Sequence, residues 1–124
     1  MKKLKILHIE DNPDDAFLIK NELKKLRSEI FYKVVDNEQS LKESLNIIEW
    51  DLVLCDFTLP LFSGLEALKI IRQIYPIIPI IFVSSTMDEF IEKQAILEGA
   101  NDYVNKNNLA RLIPAIREYI QKDF

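Results

Sequence analysis

The sequence predicts a doubly wound α/β fold, in which five parallel strands form one sheet and five helices cover its two faces. Two observations support this prediction. Five short apolar segments alternate with five amphipathic segments along the 124 residues, a pattern typical of right-handed strand–helix–strand units. Two of the apolar segments, residues 52–55 and 80–83, contain no charged side chain, as expected of strands that are buried on both faces.

The length and composition predict a single small domain over residues 1–124. Hydrophobic residues make up 48% and charged residues 29% of the chain, which is ordinary for a globular protein. The net charge of −4 argues against nucleic acid as the main partner, because no basic excess is present to neutralise phosphates. The longest apolar run, residues 77–83, is too short to cross a bilayer, and the first residues do not resemble a signal peptide. The lone cysteine, Cys55, fits a reducing cytoplasm and is expected to be an inert core residue.

The strands are predicted from apolar runs that are bounded by turn residues or charges. They cover residues 4–9, 30–35, 52–55, 80–83 and 102–104. Asn12 is predicted to cap the first helix, with Pro13 at its first position and acidic residues in its first turn. This helix is expected to run to about Arg27. Asp36 or Asn37 is predicted to cap the second helix.

The remaining helices follow from glycine, proline and capping signals. The third is predicted to begin at Gly64, and the fourth to run from Asp88 to a C-terminal Gly99. Pro114 is placed at the first regular position of the last helix, after a turn over residues 109–112, because proline has no N–H to donate inside a helix. The apolar positions predicted to face the core are Ala16, Ile19, Leu23 and Leu26; Leu41, Leu45 and Ile48; Ala67, Ile70, Ile71 and Ile74; Phe90, Ile91, Ala95 and Leu97; and Leu112, Ile113, Ile116 and Ile120.

Polar side chains follow four of the five predicted strands. They are Glu10 and Asp11 after the first, Asp56 after the third, Ser84 after the fourth and Lys106 just beyond the fifth. Of the two common strand orders of doubly wound sheets, 2-1-3-4-5 fits the length and places the first and third strands side by side. The polar side chains would then meet in one crevice at the carboxyl edge of the sheet. Helix capping is an alternative role for Asp56, but the next helix is predicted to start eight residues later, near Gly64.

This set of residues is suited to phosphoryl transfer. Three carboxylates in one crevice repel one another and would need a cation, and oxygen ligands without thiolate or imidazole favour Mg²⁺ or Mn²⁺. Together with one lysine and one hydroxyl these residues form the set needed for phosphoryl transfer, in which the metal ion and the lysine ammonium would neutralise the phosphoryl oxygens and a carboxylate would be the nucleophile. His8, the only histidine, is predicted to be a packed side chain rather than a ligand or base. With two glycines in all, the chain has no glycine-rich loop for a nucleotide phosphate, which excludes P-loop hydrolases and dinucleotide-binding folds.

Four stretches of the sequence resemble the receiver domain of the bacterial two-component response-regulator family. They are Ile6-Leu7-His8-Ile9-Glu10-Asp11-Asn12; Asp56-Phe57-Thr58-Leu59-Pro60 with Gly64; Val83-Ser84-Ser85; and Gly99-Ala100-Asn101-Asp102-Tyr103-Val104-Asn105-Lys106. Each stretch is weak alone, but all four occur in order, each at a predicted strand end, and together they span nearly the whole chain. The resemblance implies a flavodoxin-like fold and a cytoplasmic signalling switch rather than a metabolic enzyme.

The resemblance also implies the chemistry of the site. Asp56 would be the phosphoacceptor, taking a phosphoryl group from a sensor histidine kinase or a histidine phosphotransfer protein. Asp11 and Asp56 would ligate Mg²⁺ directly, together with the backbone carbonyl of Thr58, and Glu10 would act through a water molecule.

Three further roles follow from the resemblance. Lys106 would pair with the phosphoacceptor and then with the phosphoryl group, Ser84 would donate to a phosphoryl oxygen, and Tyr103 would swing inward as Ser84 moves. An unknown downstream protein would bind the surface formed by the fourth helix, fifth strand and fifth helix, and the chain would be a monomer or a weak dimer. Without the resemblance, Lys106 would be an ordinary solvated lysine and Tyr103 a sheet-edge aromatic, and Ser85 or Thr86 could replace Ser84.

Two residues depart from the family pattern. Asn107 replaces the proline that usually follows the lysine, so the Lys106–Asn107 bond is predicted to be trans, because a cis bond before a non-proline residue costs about 3 kcal/mol. Ser85 stands where the family usually has a small residue, and it would slightly narrow access to the site. Neither change removes a reactive group, so phosphorylation is still expected.

Two other functions are weaker predictions. A phosphatase of the dehalogenase type would need an acidic residue two positions after the nucleophile, where this chain has Thr58. A phosphorylation-independent binding module would not need the complete set of Glu10, Asp11, Asp56, Ser84 and Lys106. Because the sequence ends at Phe124, we expect no output domain within it, and both a stand-alone regulator and a receiver from a hybrid sensor kinase stay open.

Overall fold

The computed structural model describes residues 3–85 and 88–120, so Thr86 lies outside the described residues. The elements in chain order are β1 (Lys3–Ile9), α1 (Pro13–Leu23), β2 (Glu29–Val35), α2 (Glu38–Ile47), β3 (Leu52–Cys55), α3 (Gly64–Ile74), β4 (Ile80–Ser84), α4 (Glu89–Leu97), β5 (Asp102–Asn105), a 3₁₀ turn (Lys106–Arg111) and α5 (Leu112–Tyr119). The strands pair in parallel in the order β2-β1-β3-β4-β5, which confirms the predicted doubly wound fold.

The sheet separates two apolar cores, because successive side chains of a strand point to opposite faces. On one face, Leu7 and Phe82 belong to the core that α2, α3 and α4 cover. On the other face, Ile6 and Leu54 belong to the core that α1 and α5 cover. The strands β3 and β4 are buried along their full length, as their uninterrupted apolar sequences predict.

The strand register brings the polar strand ends to one level. Ile9 of β1 pairs with Cys55 of β3, so the residues that follow them, Glu10 and Asp56, emerge side by side. The backbone N–H of Asp56 donates to the Ile9 carbonyl at 2.9 Å, which extends this pairing by one residue. The pairing of β4 with β5 reaches Ser84 at the same edge of the sheet.

Capping residues define the predicted starts of α1 and α2. Asn12 Oδ1 accepts hydrogen bonds from the backbone N–H groups of Asp14 at 2.9 Å and Asp15 at 3.2 Å. Of the two candidate caps of α2, Asn37 has this role, because its Oδ1 accepts the N–H of Ser40 at 2.8 Å. The cap at Asn12 places the first turn of α1 beside the carboxyl end of β1.

Helix α4 begins and ends as predicted but exposes a different face. Asp88 Oδ1 accepts a backbone N–H of the first turn at 2.8 Å, and Gly99 follows the helix with a φ of +119°, which a side chain would strain. Phe90 and Leu97, which were predicted to face the core, are 76% and 88% exposed, and Ala95 is the buried residue of this helix. The two exposed positions lie seven residues apart on the side away from Ala95, so α4 carries an apolar outer stripe.

Two predictions about α1 and α3 were wrong. Helix α1 ends at Leu23 rather than near Arg27, because the next three N–H groups donate to carbonyls three positions earlier and form a tighter turn. Leu26 is nevertheless buried in that turn, as predicted. In α3, Leu68 faces the core instead of Ile74, which is the last helical residue and is 40% exposed.

The predicted position of Pro114 in the last helix was also wrong. Residues 106–111 form the 3₁₀ turn, so α5 begins at Leu112 and Pro114 is its third residue rather than its first. The helix loses no hydrogen bond there, because N–H groups of the first turn have no acceptor within the helix.

Within residues 3–85 and 88–120, no helix combines the length and the apolar character that crossing a membrane requires.

Candidate functional site

Asp56 is the central side chain of the site. It directly follows β3 and is 6% exposed. Its Oδ1 accepts hydrogen bonds from Ser84 Oγ at 2.7 Å and from the Thr58 N–H at 3.2 Å, and its Oδ2 lies 2.9 Å from Lys106 Nζ. Both oxygens of this buried carboxylate are therefore contacted by donors, and these come from three separate segments of the chain.

The start of α3 packs directly against the backbone at Asp56. The Gly64 N–H donates to the Phe57 carbonyl at 2.9 Å. A Cβ atom on Gly64 would lie 2.7 Å from Phe57 Cα and 2.8 Å from the Asp56 carbonyl oxygen, closer than a real Cβ approaches. Close approach rather than backbone conformation therefore requires glycine here. The Phe57 ring packs edge-on against Phe82, with ring centroids 5.7 Å apart, and this fixes the loop that follows Asp56.

One ammonium group, that of Lys106, joins three carboxylates. Its Nζ lies 2.8 Å from Glu10 Oε1, 2.8 Å from Asp15 Oδ2 and 2.9 Å from Asp56 Oδ2. Burial alone would lower the pKa of Lys106, but the hydrogen bonds to the three carboxylates outweigh burial and raise that pKa above its ordinary value. Lys106 is therefore protonated at neutral pH and partly offsets the repulsion among the carboxylates.

Asp15 is a residue of this cluster that was not expected from the sequence. In the sequence it is one of the acidic residues that favour a helix N-terminus, and in the structure its carboxylate contacts Lys106. The signal that could have identified it is Asn12, because a helix capped there begins directly above the carboxyl end of β1.

Glu10, Asp11 and Asp56 form a cluster that could hold a metal ion. Each offers a carboxylate oxygen, and these oxygens lie within 4.8 Å of one another. Glu10 and Asp56 are buried, whereas Asp11 is exposed and lines a cleft of about 470 Å³ between α1 and α2. With Asp15 included, this cluster brings four carboxylates together with the Lys106 ammonium group, so negative charge is in excess among the described residues of the cluster. An oxygen donor set with this charge fits a hard divalent cation such as Mg²⁺ or Mn²⁺.

Burial gives Glu10 a particular need for a positive partner. It raises the pKa of Glu10 to about 7, against the opposing effect of the hydrogen bonds from Lys106 and from the Asn12 N–H, which lies 3.1 Å from Oε2. The raised pKa means that burial disfavours the charged form of this carboxyl group. A bound divalent cation would favour its charged form.

Tyr103 stands apart from the polar cluster. It lies on β5, and its half-buried ring packs against the core on the α2, α3 and α4 face of the sheet. Its backbone carbonyl accepts a hydrogen bond from Arg111. The structure therefore brings Asp56, Ser84, Thr58 and Lys106 together with the acidic residues, and places Tyr103 in the neighbouring apolar core.

The loop after β5 follows the prediction made for it. The Lys106–Asn107 bond is trans, and the Asn107 N–H donates to Asn105 Oδ1 at 2.8 Å. Ser85, which was considered as a replacement for Ser84, is exposed, whereas Ser84 is fully buried and contacts Asp56.

Cys55 and His8 are buried, as predicted. Burial and the neighbouring carboxylates raise the pKa of the Cys55 thiol, so it is protonated and unreactive. Burial, together with the charge of Lys106, lowers the pKa of His8 to about 3, so its imidazole is neutral at physiological pH.

Comparison with known proteins identifies a family for this arrangement. A model of the response regulator receiver domain matches residues 6–117. Over 102 residues the chain is 35% identical to an uncharacterized transcriptional regulatory protein, YvcP, of Bacillus subtilis, covering 82% of this chain and 42% of that protein. It is 32% identical over 104 residues to the autoinducer 2 sensor kinase/phosphatase LuxQ of Vibrio cholerae, covering 83% of this chain and 12% of that protein. The chain thus spans less than half the length of either relative.

A solved structure of a receiver domain also resembles this chain. The receiver domain of the sensor histidine kinase PA1611 from Pseudomonas aeruginosa superposes with a TM-score of 0.80 and 25% sequence identity. The match covers 95% of this chain and 98% of that one. That crystal structure holds a magnesium ion coordinated in its active-site cleft.

Proposed function

This chain belongs to the response regulator receiver family, and we propose that it is a phosphoacceptor switch of a two-component system or phosphorelay. In this proposal Asp56 takes a phosphoryl group from a phosphohistidine of a sensor histidine kinase or a histidine phosphotransfer protein. The observation that carries the proposal is the environment of Asp56, whose buried carboxylate meets Lys106 and Ser84 within 2.9 Å and lies beside two further carboxylates.

The transfer step can be written with these side chains. An oxygen of the ionised Asp56 carboxylate attacks phosphorus, a P–O bond forms, and the P–N bond to the donor imidazole breaks, leaving its electron pair on nitrogen. The Lys106 ammonium, already 2.9 Å from Asp56 Oδ2, offsets the negative charge of the phosphoryl oxygens. The Ser84 hydroxyl, which now donates to Asp56 Oδ1, becomes a donor to a phosphoryl oxygen.

The metal site of this proposal consists of residues around the acidic cluster. Asp11, Asp56 and the backbone carbonyl of Thr58 would bind Mg²⁺ directly, and Glu10 would act through a water molecule. When bound, the ion offsets the negative charge of the carboxylates and of the phosphoryl group. The excess of carboxylates over ammonium groups supports this assignment, and Mn²⁺ has the same preference for oxygen ligands.

The output of the switch would be a change in the surface formed by α4, β5 and α5. Ser84 moves toward the phosphoryl group and Tyr103 turns inward, so that a local change of charge alters what this surface binds. The exposed Phe90 and Leu97 of α4 support protein binding there, because large exposed apolar side chains favour an interface. The partner is an unknown downstream protein.

The remaining features of the proposal concern the setting of the domain. Residues 1–124 form one receiver domain that acts in the cytoplasm as a monomer or weak dimer, without direct contact to nucleic acid or membrane. The domain catalyses its own phosphorylation and dephosphorylation, and it is a signalling module rather than a metabolic enzyme.

The proposal is tested by intact-mass spectrometry after incubation with acetyl phosphate and Mg²⁺. We expect a mass gain of one phosphoryl group that is lost in the presence of EDTA and in Asp56→Asn, and that is retained in the matched control Asp14→Asn, whose side chain is exposed. A phosphohistidine donor is the second arm. If the native chain gains no phosphoryl group from either donor, the proposal is overturned in favour of a phosphorylation-independent binding module.

A further inference from the structure

His8 is a buried polar side chain that the proposed chemistry does not use. It is fully buried and lies on β1, two residues before Glu10, so strand alternation directs both side chains to the same face. Its Nδ1 lies 2.5 Å from the Tyr32 hydroxyl oxygen. Its Nε2 lies 3.9 Å from Glu10 Oε1 and has no hydrogen-bond partner within the part of the chain that the structure describes. Polar atoms buried this deeply are normally hydrogen-bonded, so the position of Nε2 beside Glu10 requires an explanation.

The Tyr32 hydroxyl determines which nitrogen of the neutral imidazole carries the proton. The hydroxyl lies 2.5 Å from His8 Nδ1 and 3.3 Å from the Ala16 carbonyl oxygen, and it can donate to only one of them. If the hydroxyl donated to the Ala16 carbonyl, Nδ1–H would be the donor to the hydroxyl, and an unprotonated Nε2 would face Glu10 Oε1 at 3.9 Å with no donor between them, so the arrangement that gives Nε2 a partner is donation of the hydroxyl to Nδ1. Because Nδ1 is then an acceptor, the ring proton is on Nε2 and faces the Glu10 carboxylate.

We propose that His8 is a positioning residue for the cation site, in which its Nε2–H donates to the Glu10 carboxylate while Tyr32 holds the imidazole in that tautomer. The inference rests on the proposed function, because the position of Glu10 matters for a cation bound at this edge of the sheet. The distance of 3.9 Å between His8 Nε2 and Glu10 Oε1 exceeds the usual length of an N–H···O hydrogen bond by about 1 Å. Small changes in the side-chain torsions of Glu10 would bring Oε1 within hydrogen-bond distance of Nε2.

A neutral donor suits this position for an electrostatic reason. Glu10 Oε1 is now 2.8 Å from Lys106 Nζ, whose charge repels a divalent cation bound to the same carboxylates. The other oxygen, Oε2, accepts the Asn12 N–H at 3.1 Å. A donor on His8 would hold the Oε1 side of the Glu10 carboxylate without adding positive charge. Residues that hydrogen-bond to metal-binding carboxylates commonly affect metal affinity.

The test is a comparison of Mg²⁺ dissociation constants, measured by isothermal titration calorimetry at pH 8. His8→Leu, which keeps an apolar volume but removes the donor, is expected to weaken Mg²⁺ binding by roughly tenfold. His8→Gln, whose amide can donate near the position of Nε2, is expected to restore most of the affinity. In a Glu10→Gln background, His8→Leu is expected to cause no further loss, because the carboxylate through which His8 acts is absent. An equal loss in both backgrounds would show a purely structural role and overturn the inference.

A measurement on the unmodified chain makes the result independent of whether the variants fold. The ¹⁵N chemical shifts of the His8 imidazole distinguish the two neutral tautomers, and we expect the proton on Nε2 in the native chain and a loss of this preference in Tyr32→Phe. A proton on Nδ1 in the native chain would overturn the inference while leaving the proposed function intact. If the native chain binds no Mg²⁺ at all, both the inference and the metal-dependent function are overturned.

Discussion

At the scale of single residues, the site depends on Lys106 as the common partner of three carboxylates. Its Nζ lies within 2.9 Å of oxygens from α1, from the end of β1 and from the end of β3. These contacts join chain segments that are up to 96 residues apart, from Glu10 to Lys106, so the ammonium group organises the cluster and would compete with a cation bound there. The two effects can be separated by removing the charge and keeping the length of the side chain.

Lys106→Met is predicted to slow phosphorylation of the domain by acetyl phosphate by about 100-fold, because a preorganised positive group that stabilises the transferred phosphoryl charge is lost. The same change is predicted to leave Mg²⁺ binding at least as tight, since the competing ammonium group is gone. Stopped-flow or mass-detected phosphorylation rates and calorimetric Mg²⁺ titrations check the two parts. An unchanged phosphorylation rate at saturating Mg²⁺ would contradict the role of Lys106, and Lys69→Met serves as the control on an exposed lysine.

Most of the residues that the structure brings together here were predicted from the sequence to lie close to one another, because they stand at strand ends. Glu10, Asp56 and Ser84 each follow or end an apolar run, and the strand order brings these positions together. Asp15 could not be found in this way, because it lies within α1 rather than at a strand end, and its contact with Lys106 depends on the orientation of that helix. The tautomer that Tyr32 favours in His8 depends equally on side-chain contacts that no local pattern encodes.

At the scale of secondary-structure elements, Arg72 connects α3 to the segment before β4 and to the loop between α4 and β5. Its Nη1 donates to the Ile78 carbonyl at 2.6 Å, and its Nε and Nη2 donate to the Gly99 carbonyl at 3.1 and 2.8 Å. Nη2 also donates to Asn101 Oδ1 at 3.0 Å, and that oxygen accepts the Ile80 N–H at 2.9 Å. One guanidinium thus fixes the entry to β4 and the exit of α4, the two segments next to the predicted output surface.

Arg72→Met is predicted to reduce the free energy of unfolding by about 2–4 kcal/mol, because several hydrogen bonds from a charged donor are lost and the carbonyls that accept them are left partly buried. The matched control is Lys69→Met on the same helix, whose side chain is exposed and for which a change below about 0.5 kcal/mol is expected. Urea unfolding monitored by circular dichroism measures both. Equal midpoints for the two variants would show that the Arg72 contacts contribute nothing to stability.

The errors in predicting elements have a common physical origin. Strands and caps are local features, so β3, β4 and the caps at Asn12 and Asp88 are found where the sequence indicates. The buried face of a helix depends on which neighbours it meets, and α4 meets the core through the small side chain of Ala95. Its larger apolar residues, Phe90 and Leu97, satisfy helical periodicity equally well but face outward.

At the scale of the whole molecule, His8 links the acidic edge of the sheet to the stability of the fold. The pKa of His8 is lowered from its ordinary value of 6.5 to about 3, so between these values the unfolded chain binds a proton that the folded chain does not. Folding stability should therefore decrease as the pH falls below 6.5. The raised pKa of Glu10 has the opposite effect between its ordinary 4.5 and about 7, because there the folded chain is the one that binds more protons.

The two contributions can be separated in a Glu10→Gln background. There, the free energy of unfolding is predicted to fall by up to about 1.4 kcal/mol for each pH unit below 6.5. This is the slope expected when the unfolded chain binds one more proton than the folded chain. The double variant Glu10→Gln/His8→Leu is predicted to lack this part of the slope, whatever its absolute stability. Urea unfolding from pH 7 to pH 5 in EDTA gives both slopes. Parallel slopes for the single and double variants would contradict a neutral, buried His8.

The most direct test of the central claim, that Asp56 accepts the phosphoryl group, is borohydride reduction of the phosphorylated chain followed by peptide mapping. An acyl phosphate on an aspartate is reduced to homoserine, so the measurement reports which carboxylate carried the phosphoryl group. The proposed geometry predicts homoserine at position 56 after incubation with acetyl phosphate and Mg²⁺, and none when Mg²⁺ is withheld. Homoserine at Asp11 or Asp15 instead, with position 56 unreduced, would contradict the account.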